Sequence, residues 1–134
     1  MEAYLGIDVG SVTTKLAVLN EGDELVAHLY RPTQGKPIEM TQEGLRQINE
    51  HLPKDTDIRG VATTGSARYL AGVIVGADLV KNEITSHAVG ALHYFPEAQT
   101  VVEIGGQDSK IIIIRDGIAV SYTHLRAHET VLDL

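Results

Sequence analysis

Hydrophobic and polar residues alternate over the first thirty positions with the period of two that is typical of β-strands. Residues 4–9 are largely apolar and are followed by a glycine and a serine. Residues 13–19 alternate between apolar and polar, with the apolar side chains on one face. Residues 20–23 have turn chemistry, because Asn and Gly tolerate a positive φ. Residues 25–30 alternate again. Three strands joined by short turns predict an antiparallel meander.

The rest of the chain combines helical and strand patterns. Apolar residues at helical spacing predict a helix over residues 38–52, although Gly44 inside it costs about 1 kcal/mol. The other predicted elements are a strand over 58–63, helices over 66–75 and 83–95, strands over 100–104 and 110–115, and a strand beginning at 118. This order predicts the α/β class, with a mixed five-stranded sheet and flanking helices.

The last fourteen residues, 121–134, depart from this pattern. They interrupt the strand that begins at residue 118, and they include His124 and His128. The string SYTHLRAHET is similar to a translated sequencing-adaptor tail of the kind found at the ends of fragmentary gene predictions. We therefore expect a domain over residues 4–120, followed by a non-native tail that lacks stable packing. The two histidines are four positions apart, but without the glutamate of a zincin motif they predict no metal site.

Composition and charge narrow the classes of function. The chain has 134 residues, a net charge of −7, 4% aromatic residues and no cysteine. Within this chain, the lack of cysteine excludes disulfides, thiol catalysis and a cysteine-ligated iron–sulfur cluster. The acidic balance and the few aromatic residues argue against a nucleic-acid partner. No uncharged apolar run, such as residues 111–114, is long enough to span a membrane, and no signal peptide is recognised, so we expect a cytoplasmic protein.

The strongest chemical motif is DVGSVTTK, from Asp8 to Lys15. A carboxylate stands at the end of a strand, and the glycine turn that follows can point backbone N–H groups at an anion. Asp8 is expected to hold Mg²⁺ through water, because Mg²⁺ keeps much of its hydration shell. The residues expected to hold phosphate, through the main chain, hydroxyl groups or positive charge, are Gly10, Ser11, Thr13, Thr14 and Lys15.

A second motif, EIGGQDSK, runs from Glu103 to Lys110. It has the same order of features: a strand, a carboxylate, a glycine turn, polar donors and another strand. Gly105 and Gly106 allow a phosphate to approach the main chain closely. Gln107 can both donate and accept, so it is a candidate to orient an attacking water molecule. The carboxylates of Glu103 and Asp108 are candidates to act on the metal or on that water. The two motifs together predict a nucleoside triphosphate held between two phosphate-binding hairpins.

The paired motifs resemble the actin, Hsp70 and sugar-kinase superfamily. Within it, the chain is most similar to the ATP-dependent activators of 2-hydroxyacyl-CoA dehydratases and benzoyl-CoA reductases. The segments that narrow the resemblance are GIDVGS, TTGSAR, NEITSHAVG and EIGGQDSK. The resemblance covers residues 4–120, which it identifies as the N-terminal lobe of an actin-like ATPase with a ribonuclease-H-like fold.

The resemblance also implies a mechanism. Members of the family bind ATP and Mg²⁺, work as homodimers with a bridging [4Fe–4S] cluster, and drive one electron into a dehydratase or reductase partner. This sequence departs from the family pattern at three points. It has no cluster-binding cysteine, it has Glu103 where the family has Asp, and it lacks the half of the fold that supplies the adenine pocket. The chain by itself is therefore expected to be inactive.

Two other functions stay open at this point. The opening GIDVG also resembles Holliday-junction resolvases, with Asp8, Glu83 and Glu103 as the carboxylates of a two-metal nuclease. The net charge of −7 and the second glycine hairpin count against that interpretation. The third possibility is a truncated module with no activity of its own.

Two further features have competing interpretations. Residues 63–66 close a strand before a helix, so they lie near the nucleotide or a dimer interface, or Ser66 simply caps the helix. Glu83 and His87 are one helical turn apart and are candidates for polar interface residues. For His87 we favour a hydrogen-bonded histidine on a buried stripe.

Overall fold

The computed structural model describes residues 1–105 and 108–126. The chain divides into two units, of which the first is Met1–Asn82 and the second begins at Glu83. The elements of the first unit are β1 (Glu2–Val9), β2 (Thr13–Asn20), β3 (Leu25–Pro32), α1 (Pro37–Glu50), β4 (Asp57–Thr64), α2 (Arg68–Val75) and β5 (Leu79–Val80).

The five strands of the first unit form one mixed sheet in the order β3-β2-β1-β4-β5. The first three pair antiparallel as the predicted meander, whereas β4 pairs parallel with β1 and β5 pairs parallel with β4. This confirms the predicted α/β class and the mixed five-stranded sheet. Strand β1 lies between β2 and β4, so side chains at its carboxyl end have neighbours from both strands.

The hydrophobic core lies on one face of this sheet. Alternate residues of β1 point into it, as a period of two requires, and they are Ala3, Leu5, Ile7 and Val9. Ile48 of α1 and Ala71 of α2 belong to the same buried cluster. Both helices therefore cover the same face of the sheet, and the other residues of β1, including Asp8, lie on the opposite face.

Helix α1 accommodates its internal glycine because the helix lies close to β2. A Cβ placed on Gly44 would lie 2.8 Å from Cδ1 of Leu16, so with a larger residue either the Leu16 side chain or the helix would have to shift. The helix-propensity cost noted above is offset by this close packing. Helix α1, with 14 residues, is the longest of the described helices. None of the helices in the described part of the chain is both long and apolar enough to cross a membrane.

The connection from α2 to β5 was only partly predicted. Helix α2 begins at Arg68, two residues later than expected. It ends at Val75 and is capped by Gly76, whose φ of 63° lies in the left-handed region that favours glycine. Strand β5 was missed, because two residues are too few to establish a periodic pattern. The Asp78 carboxylate fixes this edge by accepting a 2.8 Å hydrogen bond from the backbone N–H of Val61.

The second unit contains α3 (Glu83–Tyr94), β6 (Thr100–Ile104), β7 (Asp108–Arg115) and β8 (Ile118–Arg126). Its three strands form a separate antiparallel sheet in the order β6-β7-β8. Ala88 of α3 packs with Ile112 and Ile114 of β7 to form a small core. The predicted turn between β7 and β8 is confirmed at Asp116 and Gly117, which both have a positive φ, as tight hairpin turns require.

The predicted break after Val120 is wrong. Strand β8 continues to Arg126, and its residues pair with β7, for example Ser121 with Ile113 and Thr123 with Ile111. Residues 127–134 lie outside the described part of the chain. The local backbone pattern is therefore compatible with a strand as far as residue 126, while the non-native origin of residues 121–134 stays a prediction.

Candidate functional site

The Asp8–Lys15 motif forms the hairpin between β1 and β2. Asp8 lies directly opposite Lys15 in the antiparallel register. Their side chains form an ion pair, with 3.3 Å between Lys15 Nζ and Asp8 Oδ2. Lys15 Nζ also donates a 2.8 Å hydrogen bond to the hydroxyl of Thr13. About a third of each charged side chain is exposed, 29% for Asp8 and 35% for Lys15, so a ligand can reach both groups.

The turn of this hairpin is tight at Gly10. The backbone N–H of Gly10 donates a 2.9 Å hydrogen bond to the carbonyl oxygen of Thr13. A Cβ on Gly10 would lie 3.1 Å from that oxygen and 4.0 Å from Lys15 Nζ. The glycine thus keeps open the space beside the ammonium group where a phosphate would approach the main chain. Ser11 at the tip of the turn is exposed.

Thr14 points into the protein and stabilises the turn from its buried side. Its side chain is 1% exposed, and its hydroxyl lies 2.9 Å from the hydroxyl of Thr33. Thr33 donates its single proton to the carbonyl oxygen of Gly10 at 2.8 Å, so Thr14 must be the donor between the two hydroxyls. The hydroxyl proton of Thr14 is therefore committed inside the protein. Thr33 was not among the predicted site residues, because its partner is 19 positions away in the sequence.

The turn between β4 and α2 lies against the end of β1. Gly65 has a φ of +97°, and a Cβ placed on it would lie 2.3 Å from the carbonyl oxygen of Val9 and 2.7 Å from Asp8 Oδ1. The carbonyl of Val9 accepts a 3.0 Å hydrogen bond from the N–H of Ala67. Of the two interpretations of residues 63–66, the structure favours the one that places this segment beside the predicted nucleotide site.

The interpretation of Ser66 as a helix cap is wrong. Ala67 occupies the cap position of α2, and no side chain caps this helix. The first turn is held instead by Thr63, whose hydroxyl donates a 2.8 Å hydrogen bond to the carbonyl oxygen of Arg68. Thr63 is 2% exposed, so it belongs to the core face of the sheet. Its neighbour Thr64 points to the opposite face, where Asp8 lies.

The second predicted motif forms the hairpin between β6 and β7. Glu103 lies opposite Lys110, and Lys110 Nζ lies 3.2 Å from Glu103 Oε2. A carboxylate and a lysine seven positions later therefore form a cross-strand ion pair here, as Asp8 and Lys15 do in the first unit. Gly105 is exposed and directly follows β6. Gly106, Gln107 and the side chain of Asp108 lie outside the described part, so their predicted roles stay predictions.

The remaining candidates do not form a metal centre. Among the described residues, no group of three or more His, Cys, Asp or Glu side chains could hold a metal ion. The two-metal carboxylate set of Asp8, Glu83 and Glu103 required by a nuclease therefore has no support. The ring Nδ1 of His87 is buried and has no hydrogen-bond partner among the described residues, so the favoured hydrogen-bonded histidine is not found at this nitrogen. His124 is exposed on β8.

Comparison with known proteins supports the ATPase interpretation over the nuclease. Residues 5–126 match the sequence model of the BadF/BadG/BcrA/BcrD ATPase family. The chain belongs to this family. The match covers both hairpins, so the carboxylate–glycine–lysine arrangement described above lies within an ATPase domain. This confirms the resemblance of the two motifs to the activating ATPases.

Several members of this ATPase family are similar to the chain. The (R)-2-hydroxyglutaryl-CoA dehydratase activating ATPase of Acidaminococcus fermentans is 35% identical over 122 residues, which are 88% of this chain and 45% of the relative. A benzoyl-CoA reductase subunit from Thauera aromatica is 31% identical and is matched over 84% of this chain and 40% of its own length. The chain thus spans less than half the length of these relatives.

Solved structures agree with the family assignment. The crystal structure of the A. fermentans dehydratase component A aligns with a TM-score of 0.82 and 30% identity, covering 95% of this chain and 48% of that one. An activator of the 2-hydroxyisocaproyl-CoA dehydratase from Clostridium difficile, with bound ADPNP, aligns with a TM-score of 0.78 and 26% identity, covering 93% and 46%. The chain therefore has the actin-like α/β ATPase fold.

Proposed function

We propose that this chain is the nucleotide-binding lobe of an ATPase that activates a 2-hydroxyacyl-CoA dehydratase or a related reductase. The single observation that carries the proposal is the Asp8–Lys15 hairpin, a partly exposed carboxylate and ammonium around a glycine turn. This hairpin lies within the span matched to the ATPase family. The proposed role in the longer protein is to couple ATP hydrolysis to the transfer of one low-potential electron to the partner enzyme.

The residues of the first hairpin fit a magnesium–phosphate ligand. Asp8 is ionisable, partly exposed and placed at the carboxyl end of the central strand, so it can accept hydrogen bonds from the waters of hydrated Mg²⁺. Lys15 supplies a compact positive charge for the phosphate. Ser11 and Thr13 offer hydroxyls at the turn, and Gly10 leaves the main chain accessible. Bound Mg²⁺ supplies charge neutralisation at the phosphates when it is present.

We assign Thr14 a different role from the one expected from sequence. Its hydroxyl donates into the Thr33–Gly10 chain and is buried, so it stabilises the turn without contacting phosphate. These hydrogen bonds hold the backbone of the turn in place, and the ligand would contact that backbone. A turn that is already held in place loses little freedom when a ligand binds, although the N–H of Gly10 itself is donated to the carbonyl oxygen of Thr13.

The second hairpin is proposed to serve the terminal phosphate. Its support is the same seven-residue spacing between carboxylate and lysine, observed as the Glu103–Lys110 ion pair. Gly105 and Gly106 would allow close phosphate approach, and Gln107, with Glu103 or Asp108, would orient or activate the attacking water. The contact with Lys110 Nζ, at 3.2 Å, holds the Glu103 carboxylate in place.

The cluster and the partners of the longer protein lie outside this chain. A [4Fe–4S] cluster, a homodimer around it and a cytoplasmic location are proposed from the family resemblance alone. The 134 residues include no cysteine, so any cluster would need ligands that this sequence does not contain. The partner is proposed to be a dehydratase or reductase, because relatives in the family activate such enzymes or form part of them.

The proposal is tested by magnesium-dependent stabilisation of the purified chain. Its melting temperature is measured with ATP and with tripolyphosphate, each with and without MgCl₂. A ligand that binds the folded state alone raises stability in proportion to the logarithm of its concentration. We expect Asp8→Asn to make the rise in melting temperature independent of MgCl₂. We expect Lys15→Ala to reduce the rise that ATP and tripolyphosphate cause. Lys54→Ala, an exposed lysine outside the hairpins, is the charge-matched control. Equal shifts in all three variants would contradict the proposal.

A further inference from the structure

Two consecutive threonines at the end of β4 have opposite environments. Thr63 is buried on the core face, and its hydroxyl donates to the carbonyl oxygen of Arg68 at 2.8 Å. The hydroxyl oxygen of Thr64 is also buried, but it has no hydrogen-bond partner among the described residues. Buried hydroxyls are usually hydrogen-bonded, so an unpaired one needs an explanation. The contrast within one strand indicates that the Thr64 hydroxyl is not there to hold the fold together.

The position of Thr64 suggests what its hydroxyl is for. In the parallel register of β1 and β4, Thr64 lies directly opposite Asp8. Neighbouring strands are about 4.8 Å apart and paired residues point to the same face, so the two side chains stand next to each other at the carboxyl ends of their strands. The following residue, Gly65, has no side chain, which leaves the main chain free to approach Asp8 Oδ1.

We propose that the Thr64 hydroxyl is a positioning group for the hydrated divalent cation held at Asp8. A carboxylate only accepts hydrogen bonds, whereas a hydroxyl both accepts and donates. Metal-bound water has two protons to donate, and one such water can bridge Asp8 and Thr64. This inference rests on the proposed function, because it deepens the role of the Asp8 site. It adds a residue that the phosphate-binding hairpin motif does not contain.

The inference predicts that the Thr64 hydroxyl does not stabilise the ligand-free fold but raises the affinity for the cation. Thr64→Val keeps the shape of the side chain and removes its unsatisfied oxygen. Without ligand, we expect the urea midpoint of Thr64→Val to be equal to or higher than that of the wild type. The matched control, Thr63→Val, removes a satisfied hydrogen bond from the adjacent residue. We expect its urea midpoint to fall by roughly 0.5 M.

Ligand affinity should respond to the opposite threonine. We expect the Thr64 substitution, and not the Thr63 substitution, to weaken binding. Binding of MnCl₂ with ATP to the 134-residue chain is measured from the loss of the free Mn²⁺ electron paramagnetic resonance signal. We expect the Kd of Thr64→Val to rise about tenfold, equivalent to about 1.4 kcal/mol. Thr64→Ser retains the hydroxyl and should stay within about threefold of the wild type. Thr63→Val should also bind within that range.

Three outcomes would overturn the inference, and they are distinguishable. If Thr64→Val lowers the urea midpoint as Thr63→Val does, the Thr64 hydroxyl has a structural partner. If Thr64→Val binds Mn²⁺ with ATP as tightly as the wild type while Asp8→Asn does not, the inference fails and the proposed Asp8 site stands. If the wild type itself shows no Mn²⁺ binding that depends on Asp8, both the inference and the proposed function fail.

Discussion

Replacing Gly65 by alanine is the perturbation that most directly probes the junction between β4 and the end of β1. Two costs add at this position. A non-glycine residue at a positive φ costs about 1–2 kcal/mol, and here φ is +97°. The new Cβ would also lie 2.3 Å from the carbonyl oxygen of Val9 and 2.7 Å from Asp8 Oδ1, so the backbone must move. Overpacking of this kind costs a further 1–3 kcal/mol or so.

Gly76 provides the matched control. It also has a positive φ, +63°, but a Cβ placed there meets nothing within 4 Å. Gly76→Ala therefore carries the conformational cost alone, about 1–2 kcal/mol. The difference between the two variants isolates the contact with Val9 and Asp8.

Urea unfolding followed by circular dichroism measures both variants. We expect Gly65→Ala to lose roughly 2–5 kcal/mol of the free energy of unfolding, and to lose at least about 1 kcal/mol more than Gly76→Ala. Gly65→Ala should also lose magnesium-dependent stabilisation by ATP, because the side chain would displace the Asp8 carboxylate. If the two variants unfold within about 0.5 kcal/mol of each other, the close approach of Gly65 to β1 does not exist in solution.

Three further predictions address the turn, the activity and the terminus. Thr33→Val should lower the free energy of unfolding by about 1–3 kcal/mol, because it leaves the Thr14 hydroxyl and the Gly10 carbonyl without their partner; an unchanged urea midpoint would refute the proposed chain of hydroxyls. After anaerobic reconstitution with iron and sulfide, the 134-residue chain should show neither cluster absorbance nor ATP turnover; a stoichiometric cluster spectrum, or turnover near about 1 s⁻¹, would contradict this. If residues 121–134 are a non-native tail, a chain ending at Val120 should unfold within about 0.5 kcal/mol of the full chain; a loss above about 2 kcal/mol would make the β8 extension part of the fold.

The elements that could be predicted from sequence are those specified locally. The meander of β1, β2 and β3 follows from alternation over short stretches. The ion pair across the first hairpin was not predicted, because Asp8 was assigned to a metal and Lys15 to a phosphate. Strand β5 could not be predicted in the same way, because two residues carry no period. The end of β8 was misplaced because the similarity of residues 121–130 to an adaptor tail was given more weight than the capacity of those residues to form a strand.

The parts of the site that were missed depend on contacts between distant segments. Thr14 was expected to contact phosphate, but its direction is decided by Thr33, which pairing of β2 with β3 brings beneath the turn. Gly65 was recognised only as part of a strand–helix junction. Its contact with Asp8 requires the parallel register of β1 and β4, which no local pattern specifies. The same register makes Thr64 a neighbour of Asp8.

The ion pair between Asp8 and Lys15 also has a thermodynamic consequence for selectivity. The carboxylate already has an internal counterion, so a free metal ion at the proposed site would have to compete with the ammonium group, which solvent screens only in part. A free polyphosphate, in turn, must draw the ammonium away from the carboxylate. In the proposed site, only the combined complex would satisfy both charges, with the metal beside Asp8 and the phosphate beside Lys15. We therefore expect cation and nucleotide to bind with positive cooperativity, each raising the affinity of the chain for the other by the same factor.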